Sequence, residues 1–299
     1  YTSREMCRVL IQKVKSIGVA IRERTNVVEL LMVEESGRRR AAGVIVVTEE
    51  GEFESIIADN VVFATGGPGG LYAASVYPAV HTGGIGLALA AGAVAANLPE
   101  SQFGLASTKF RWNVSGTYMQ CVPRFISTEA DGVSNPREFL GDYLADAGRL
   151  QSLTFLKGYQ WPFDARKVAG GSSLLDLLVH IETVVRGRRV FLDFRSNPAG
   201  FSFSSLEEEA RVYLEKSKAL QDTPFRRLEA MNPGAVSLYR DQGIDLATEP
   251  LEVAVCAQHN NGGLATNHWW ESCTIRHLFP IGEVNGSHGV ARPGGAALN

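Results

Sequence analysis

Residues 3–17, SREMCRVLIQKVKSI, set Met6, Val9, Leu10, Lys13 and Val14 along one stripe at helical spacing, and Gly18 closes the run, so one amphipathic helix is expected there. The period then changes. From Val27 to Gly67 three β-branched runs are separated by ESGRRR and EEGE, which predicts an antiparallel meander. Its last strand, NVVFAT, is apolar on both faces and is expected to be central in a sheet. TGGIGLALAAGAVAANL follows, and its alanines favour a helix able to pack closely on a sheet or a ligand.

From about Pro99 the texture shifts to longer polar loops with more aromatic residues and prolines, as in TKFRWNVSGTYMQCVPRF, KGYQWPFDARK and FRSNPAGFSF, and a second, mostly helical unit is expected. Within it, SSLLDLLVHIETVVRGRRVFLDF predicts a helix capped by Ser172 or Ser173 and closed near Gly187, then a short strand. SSLEEEARVYLEKSKAL predicts another, with Glu207 to Glu209 at its start and Lys216 and Lys218 near its end, the polarity that suits the helix dipole. Strand texture returns near EPLEVAVCAQHNNGGL. The pattern divides the chain into 1–98 and 253–299, parts of one sheet domain, and 99–252, an inserted unit.

Composition narrows the function. With 45% apolar residues the 299-residue chain can build a sizeable core. Twenty-nine basic and 32 acidic side chains leave a formal charge of -3, which gives no footprint for nucleic acid and points to small polar partners. No apolar run reaches the length of a membrane span, so no membrane insertion is expected. The four cysteines, Cys7, Cys121, Cys256 and Cys273, show no C-x-x-C pair and no histidine at ligand spacing, which predicts reduced thiols, a cytoplasmic setting and no metal.

Three stretches could carry chemistry. VVFATGGPGGLY (61–72) is a strand running into glycines, where backbone can approach a ligand without Cβ interference at Thr65, Gly66 and Gly67; the plainer alternative is a tight turn. It is not a G-x-G-x-x-G dinucleotide fingerprint. QHNNGGL (258–264) gathers Gln258, His259 and two asparagines against a glycine pair, either a substrate-facing loop or a polar turn that bonds its own backbone. LFPIGEV delivers Glu283 after Gly282, and GSHGVARPGGAALN brings His288 and Arg292 beside a helix start, where exposed N–H groups favour negative charge and arginine can clamp a carboxylate; the alternative is a surface loop.

Together and in order, VVFATGG, HTGGIGLALAAGA, EVAVCAQHNNGGL and IGEVNGSHGVARPGGAALN resemble the flavoprotein family of succinate dehydrogenase and fumarate reductase, which includes L-aspartate oxidase and adenylylsulfate reductase. The last stretch matches the family's closing motif at Gly282, Glu283, His288, Gly289, Arg292, Gly294 and Leu298. The resemblance implies FAD, an α/β flavin domain of the glutathione-reductase type, and an inserted cap that closes over a dicarboxylate. It also implies that Glu283 bonds the FAD sugar chain, that the backbone of Gly294, Gly295, Ala296, Leu298 and Asn299 faces the flavin, and that Arg292 holds a substrate carboxylate. Hydride then passes at flavin N5, with His288, His259 and Gln258 on the substrate side.

The departures point to a divergent branch with another substrate. HTGGIG lacks the family's acidic T-G-D-G residue, and QFGLAS puts Gly104 where the family has a substrate-contacting histidine. Gln258 and His259 stand in the positions of a histidine and a tyrosine. The proton-donating arginine of T-E-x-x-R-G-E has no counterpart in STEADG, and Arg124 lies four residues before Thr128. Lys109, Arg111 and Tyr118 could line the altered pocket, or belong to an aromatic packing loop. Because the N-terminal FAD fingerprint is missing, the sequence is expected to be the middle of a longer FAD-dependent oxidoreductase and to retain FAD poorly alone. Two alternatives stay open: a non-catalytic ligand-binding or assembly module that keeps the fold, and a protein that takes electrons from an iron–sulfur partner protein.

Overall fold

In the computed structural model, which describes residues 2–78, 81 and 83–288, the elements run α1 (Thr2–Ser16), β1 (Asn26–Glu35), β2 (Arg38–Val47), β3 (Phe53–Ile57), β4 (Val61–Phe63), α2 (Ile85–Ala90), β5 (Ala95–Ala96), β6 (Ser101–Ser107) and β7 (Trp112–Asn113). There follow α3 (Thr117–Gln120), β8 (Arg124–Thr128), α4 (Ala147–Leu156), α5 (Ser173–His180), β9 (Arg189–Asp193), α6 (Glu208–Lys216), α7 (Pro224–Met231) and α8 (Pro233–Arg240). The last strands are β10 (Leu251–Asn260), β11 (Gly263–Leu264) and β12 (Leu278–Pro280). Two compact units result, one from the described residues of 1–64, 86–95 and 264–281, the other from those of 65–85, 96–263 and 282–299.

In the first unit α1 forms where the stripe predicts it, with Glu5 in its first turn and Lys13 and Lys15 in its last. Met6, Val9 and Leu10 stay 40 to 55% exposed, so the helix stands on local interactions such as Arg8 with Glu5 and Gln12. The meander is β1, β2 and β3. Ser36 and Gly37, both at positive φ, make the two-residue turn that suits the strand twist between β1 and β2. A bulge at Ala42 shifts the register from Leu31 opposite Gly43 to Met32 opposite Ala41. Gly43 (φ 145°) lies so close to β3 that a Cβ there would come within 2.0 Å of the Ile56 carbonyl oxygen.

Two expectations change here. NVVFAT is not the last strand of the meander: β4 pairs in parallel with β12, Val61 opposite Leu278, and Val62 is 61% exposed, so it is not buried on both faces. A short apolar run does not reveal a partner so distant in sequence. The alanine-rich helix is also shorter than predicted, because Gly92 at φ 94° stops the backbone after α2.

The second unit holds a five-stranded antiparallel sheet, β7-β6-β10-β9-β8. It is therefore a mixed unit rather than a mostly helical one. The strand over 101–107, SQFGLAS, carries glycine and serine in place of β-branched residues, and its pairing with β10 overrides that weak propensity. Leu105, Met119, Phe139, Phe155, Leu175 and Leu192 belong to the core between sheet and helices. α5 runs into a π-turn, Ile181–Val185, before β9, and α6 begins after Glu207, both near their predicted places. Asp146, Thr223 and Asn232 cap α4, α7 and α8 by accepting backbone N–H bonds, and a proline follows each of the last two caps.

One ion pair is sealed in this core: Lys157 Nζ lies 2.5 Å from Asp176 Oδ2, and both side chains are 1% exposed. Burial pushes the Asp176 carboxyl up and the Lys157 ammonium down, in each case against the pull of the partner's charge. The pair therefore returns little net stability, although each charge needs the other. Lys157→Met is expected to cost about 3–5 kcal/mol in urea denaturation, and the double variant Lys157→Met/Asp176→Leu to recover most of it.

Candidate functional site

The described candidate residues all fall in the second unit, around the far end of β10. Opposite β6, Ala257 pairs with Phe103 and His259 with Gln102, so Gln258 is the extra residue of a bulge. A bulge re-aims its side chain, and Gln258 Nε2 donates to the carbonyls of Gly104 (3.0 Å) and Leu105 (3.4 Å). Gly104 has no room for a side chain, since a Cβ would sit 2.5 Å from Trp161 Nε1. That indole N–H is buried and has no hydrogen-bond partner among the described residues. Cys256 pairs with Gly104 across the strands, and burial pushes its thiol up to about 11, so it acts as a packing group rather than a nucleophile at neutral pH.

Beyond the bulge the expected polar loop is a buried cluster: His259, Asn260 and Asn261 are at most 3% exposed. Gly262 and Gly263 are fixed by close approach, as Cβ atoms there would meet Asn97 O at 2.0 Å and Val284 O at 2.2 Å. His259 Nδ1 lies 3.1 Å from Asn261 Oδ1, and its ring stacks on that of His288 at 5.4 Å. Asn260 Nδ2 donates to Ser101 Oγ at 2.9 Å, and Ser101 Oγ in turn bonds Tyr72 Oη at 2.8 Å.

Glu283 is the hub. Gly282, at φ 68°, turns the chain into the single 3-10 turn that carries it. Its Oε1 accepts from the Asn260 N–H at 3.0 Å and from the Tyr77 hydroxyl, with His259 Nε2 3.6 Å away. The glycine turn after β4 closes on these groups. A Cβ on Gly67 would fall 2.7 Å from Glu283 Oε1, and one on Gly69 would enter the Tyr77 ring at 1.9 Å. Gly66 (φ 77°) lies beside His81, and Gly84 packs on Thr65, whose Cβ would be 2.8 Å from an added methyl. Bare backbone and a carboxylate thus meet directly, the room a side chain at Gly67, Gly69 or Gly84 would need being taken by Glu283, Tyr77 and Thr65.

The structure thus brings Gly66, Gly67, Glu283, His259 and His288 together and places Gln258 one bulge away, while Arg292, Gly294, Gly295, Ala296, Leu298 and Asn299 lie outside the described residues. Of the groups that could line an altered pocket, Tyr118 and Lys109 are engaged elsewhere, whereas Arg111 adjoins the Glu283 cluster. The Tyr118 hydroxyl donates to Ala235 O at 3.0 Å in the core, Lys109 faces Glu249 at 3.9 Å, and Arg111 donates to Tyr77 O at 3.2 Å. Arg124 is held by Asp193 at 2.5 Å. Burial raises the Asp193 carboxyl, but the hydrogen bonds from Arg195 and Arg124 outweigh it and keep it below the usual range. Sequence reasoning missed Tyr77 and Trp161. The glycine cluster could have signalled an aromatic ring laid on it, but nothing in one sequence ties Tyr77 to Glu283.

Comparison with known proteins gives this geometry a context. A family model described as FAD binding domain matches residues 1–153, just over half of the chain. L-aspartate oxidase of Streptomyces coelicolor is 27% identical over 302 residues, covering 97% of this chain and 43% of that protein. A CoM/CoB fumarate reductase protein of Methanothermobacter marburgensis is 37% identical over 92 residues, 30% of this chain and 16% of that one. The chain thus spans less than half the length of either relative. Among solved structures, adenylylsulfate reductase from Archaeoglobus fulgidus (TM-score 0.52, 17% identity, 92% of this chain and 44% of that chain) and a quinol-fumarate reductase (0.51, 21%, 88% and 40%) share the fold. Gly67→Ala is expected to push the Glu283 carboxylate off Asn260 N and Tyr77 and to cost about 1–3 kcal/mol in thermal or urea unfolding; a crystal structure of the variant with Glu283 unmoved would contradict this.

Proposed function

This chain belongs to the FAD binding domain family, and from that premise we propose that it is part of a longer FAD-dependent oxidoreductase acting on a small carboxylate-bearing substrate. The observation that carries the reading is the juxtaposition of Gly67 and Glu283, a bare backbone turn against a carboxylate. On this reading the turn Thr65–Gly67 lets the cofactor approach, and Glu283 accepts hydrogen bonds from its sugar hydroxyls. Gly282 aims that carboxylate, while the backbone of Gly294, Gly295, Ala296, Leu298 and Asn299 contributes N–H donors. When bound, FAD supplies hydride transfer at its N5 position.

The protein's own part is positioning and electrostatics. Arg292 clamps a substrate carboxylate as a bidentate donor, and His288, stacked on His259, keeps an imidazole within reach of it. The inserted stretch 99–252 serves as the cap over the substrate. Two curated relatives are named for the small dicarboxylates fumarate and L-aspartate, which supports this substrate class. An electron-transfer partner protein fits the same reading. No helix of the described residues is long and apolar enough to cross a membrane.

A second reading, a ligand-binding or assembly module without catalysis, draws on one observation: Trp161 fills the space beside Gly104 where the family carries a substrate-contacting histidine. The two part on one experiment. The full-length protein, loaded with FAD and titrated with fumarate, succinate and L-aspartate under anaerobic conditions before and after reduction, is expected to show its visible flavin band bleach or recover with one of them. Stoichiometric FAD that responds to none would favour the module. Arg292→Ala is expected to raise KM for the responding acid at least tenfold while FAD affinity changes less than threefold; equal loss of both would remove the assigned role.

A further inference from the structure

We propose that Tyr77 is a positioning residue for the cofactor: it holds one oxygen of Glu283 so that the other is presented to a ligand hydroxyl. The proposal rests on the reading of Glu283 given above and extends it to a residue that no motif identified.

Among the described residues, the hydrogen bonds to Glu283 converge on a single carboxylate oxygen. Glu283 Oε1 takes the Tyr77 hydroxyl and the Asn260 N–H, with His259 Nε2 at 3.6 Å. Oε2 has no hydrogen bond from the described residues, and it is not sealed from solvent, the side chain being 15% exposed. A carboxylate fixed through one oxygen can neither rotate nor swing, so its second oxygen accepts from a fixed direction.

Tyr77 is suited to this. Its ring is buried on Gly69, where a Cβ would overlap it, so the phenol cannot shift along the turn. Its hydroxyl accepts from Asn260 N at 3.1 Å and approaches Asn260 Oδ1 at 3.3 Å, which sets the direction in which it donates. Arg111 Nη1 holds the Tyr77 carbonyl at 3.2 Å, and His81 flanks the ring at 5.9 Å. A tyrosine that only filled space would need Gly69 beneath its ring but not a hydroxyl shared between Asn260 and Glu283. One physical demand accounts for both Gly67 and Gly69: the turn admits the carboxylate at one and the ring that steers it at the other.

The test is a double-mutant cycle on FAD binding, read as Kd by flavin fluorescence on the full-length apoprotein. Tyr77→Phe keeps the ring and removes the donor, and Glu283→Ala removes the carboxylate. Each is expected to weaken FAD by roughly tenfold, and the double variant to be no weaker than Glu283→Ala alone, because Tyr77 acts only through Glu283. Additive losses would overturn the proposal, as would a Tyr77→Phe protein that binds FAD like the wild type while Glu283→Ala does not. A Tyr77→Phe apoprotein that loses its fold would also overturn it, since the hydroxyl would then be holding the structure rather than aiming the carboxylate. If Glu283→Ala leaves the Kd unchanged, the role of Glu283 itself fails, a result distinct from the others.

Discussion

The site depends on a carboxylate that folding takes largely out of water. A desolvated carboxylate costs several kcal/mol unless it is hydrogen-bonded, and Glu283 meets that demand with a backbone N–H from β10 and a phenol from the segment after the glycine turn. With Glu283 itself, these partners join three separate stretches of chain, so the carboxylate holds them in register as much as they hold it. Its neighbours follow from this constraint. Gly67 must lack a Cβ to admit the carboxylate, and Gly69 must lack one to admit the ring of Tyr77. Asn260 must sit at the end of a strand with its N–H turned away from the ladder.

The bulge in β10 meets that last requirement. Without an extra residue, the alternation of an antiparallel pair would continue past Ala257 and carry every later side chain to the opposite face. With Gln258 inserted, His259 and Asn260 take up register with Gln102 and Ser101 and reach Glu283, while Gln258 turns back to the carbonyls of Gly104 and Leu105. One inserted residue therefore separates two environments, a charged cluster around Glu283 and a neutral one around Gly104. The glycine pair after the strand then lets Asn97 and Val284 close over it at distances no side chain would allow.

What could be read in the sequence was local. The stripe of α1, the turn at Ser36–Gly37 and the starts of α5 and α6 follow from spacing within a few residues and stand where expected, although Ser172 makes no side-chain cap to α5. Glu283 and the glycine turn were legible as a pair of motifs, because glycine clusters and a carboxylate after a strand are unusual enough to stand out. What failed was long-range pairing. β4 finds its partner at Leu278–Pro280, and β6 is a strand only because β10 lies beside it. Tyr77 and Trp161 were missed for the same reason: an aromatic residue in a proline-rich loop carries no mark of the backbone it will cover.

The neutral side of the bulge bears on specificity. At Gly104 the adjoining polar groups are an indole N–H with no partner among the described residues and an amide nitrogen already committed to two carbonyls. A site of that kind contributes a hydrogen bond without a formal charge, and a buried donor left unsatisfied costs about 1–3 kcal/mol. A ligand group that accepts from the indole recovers this cost.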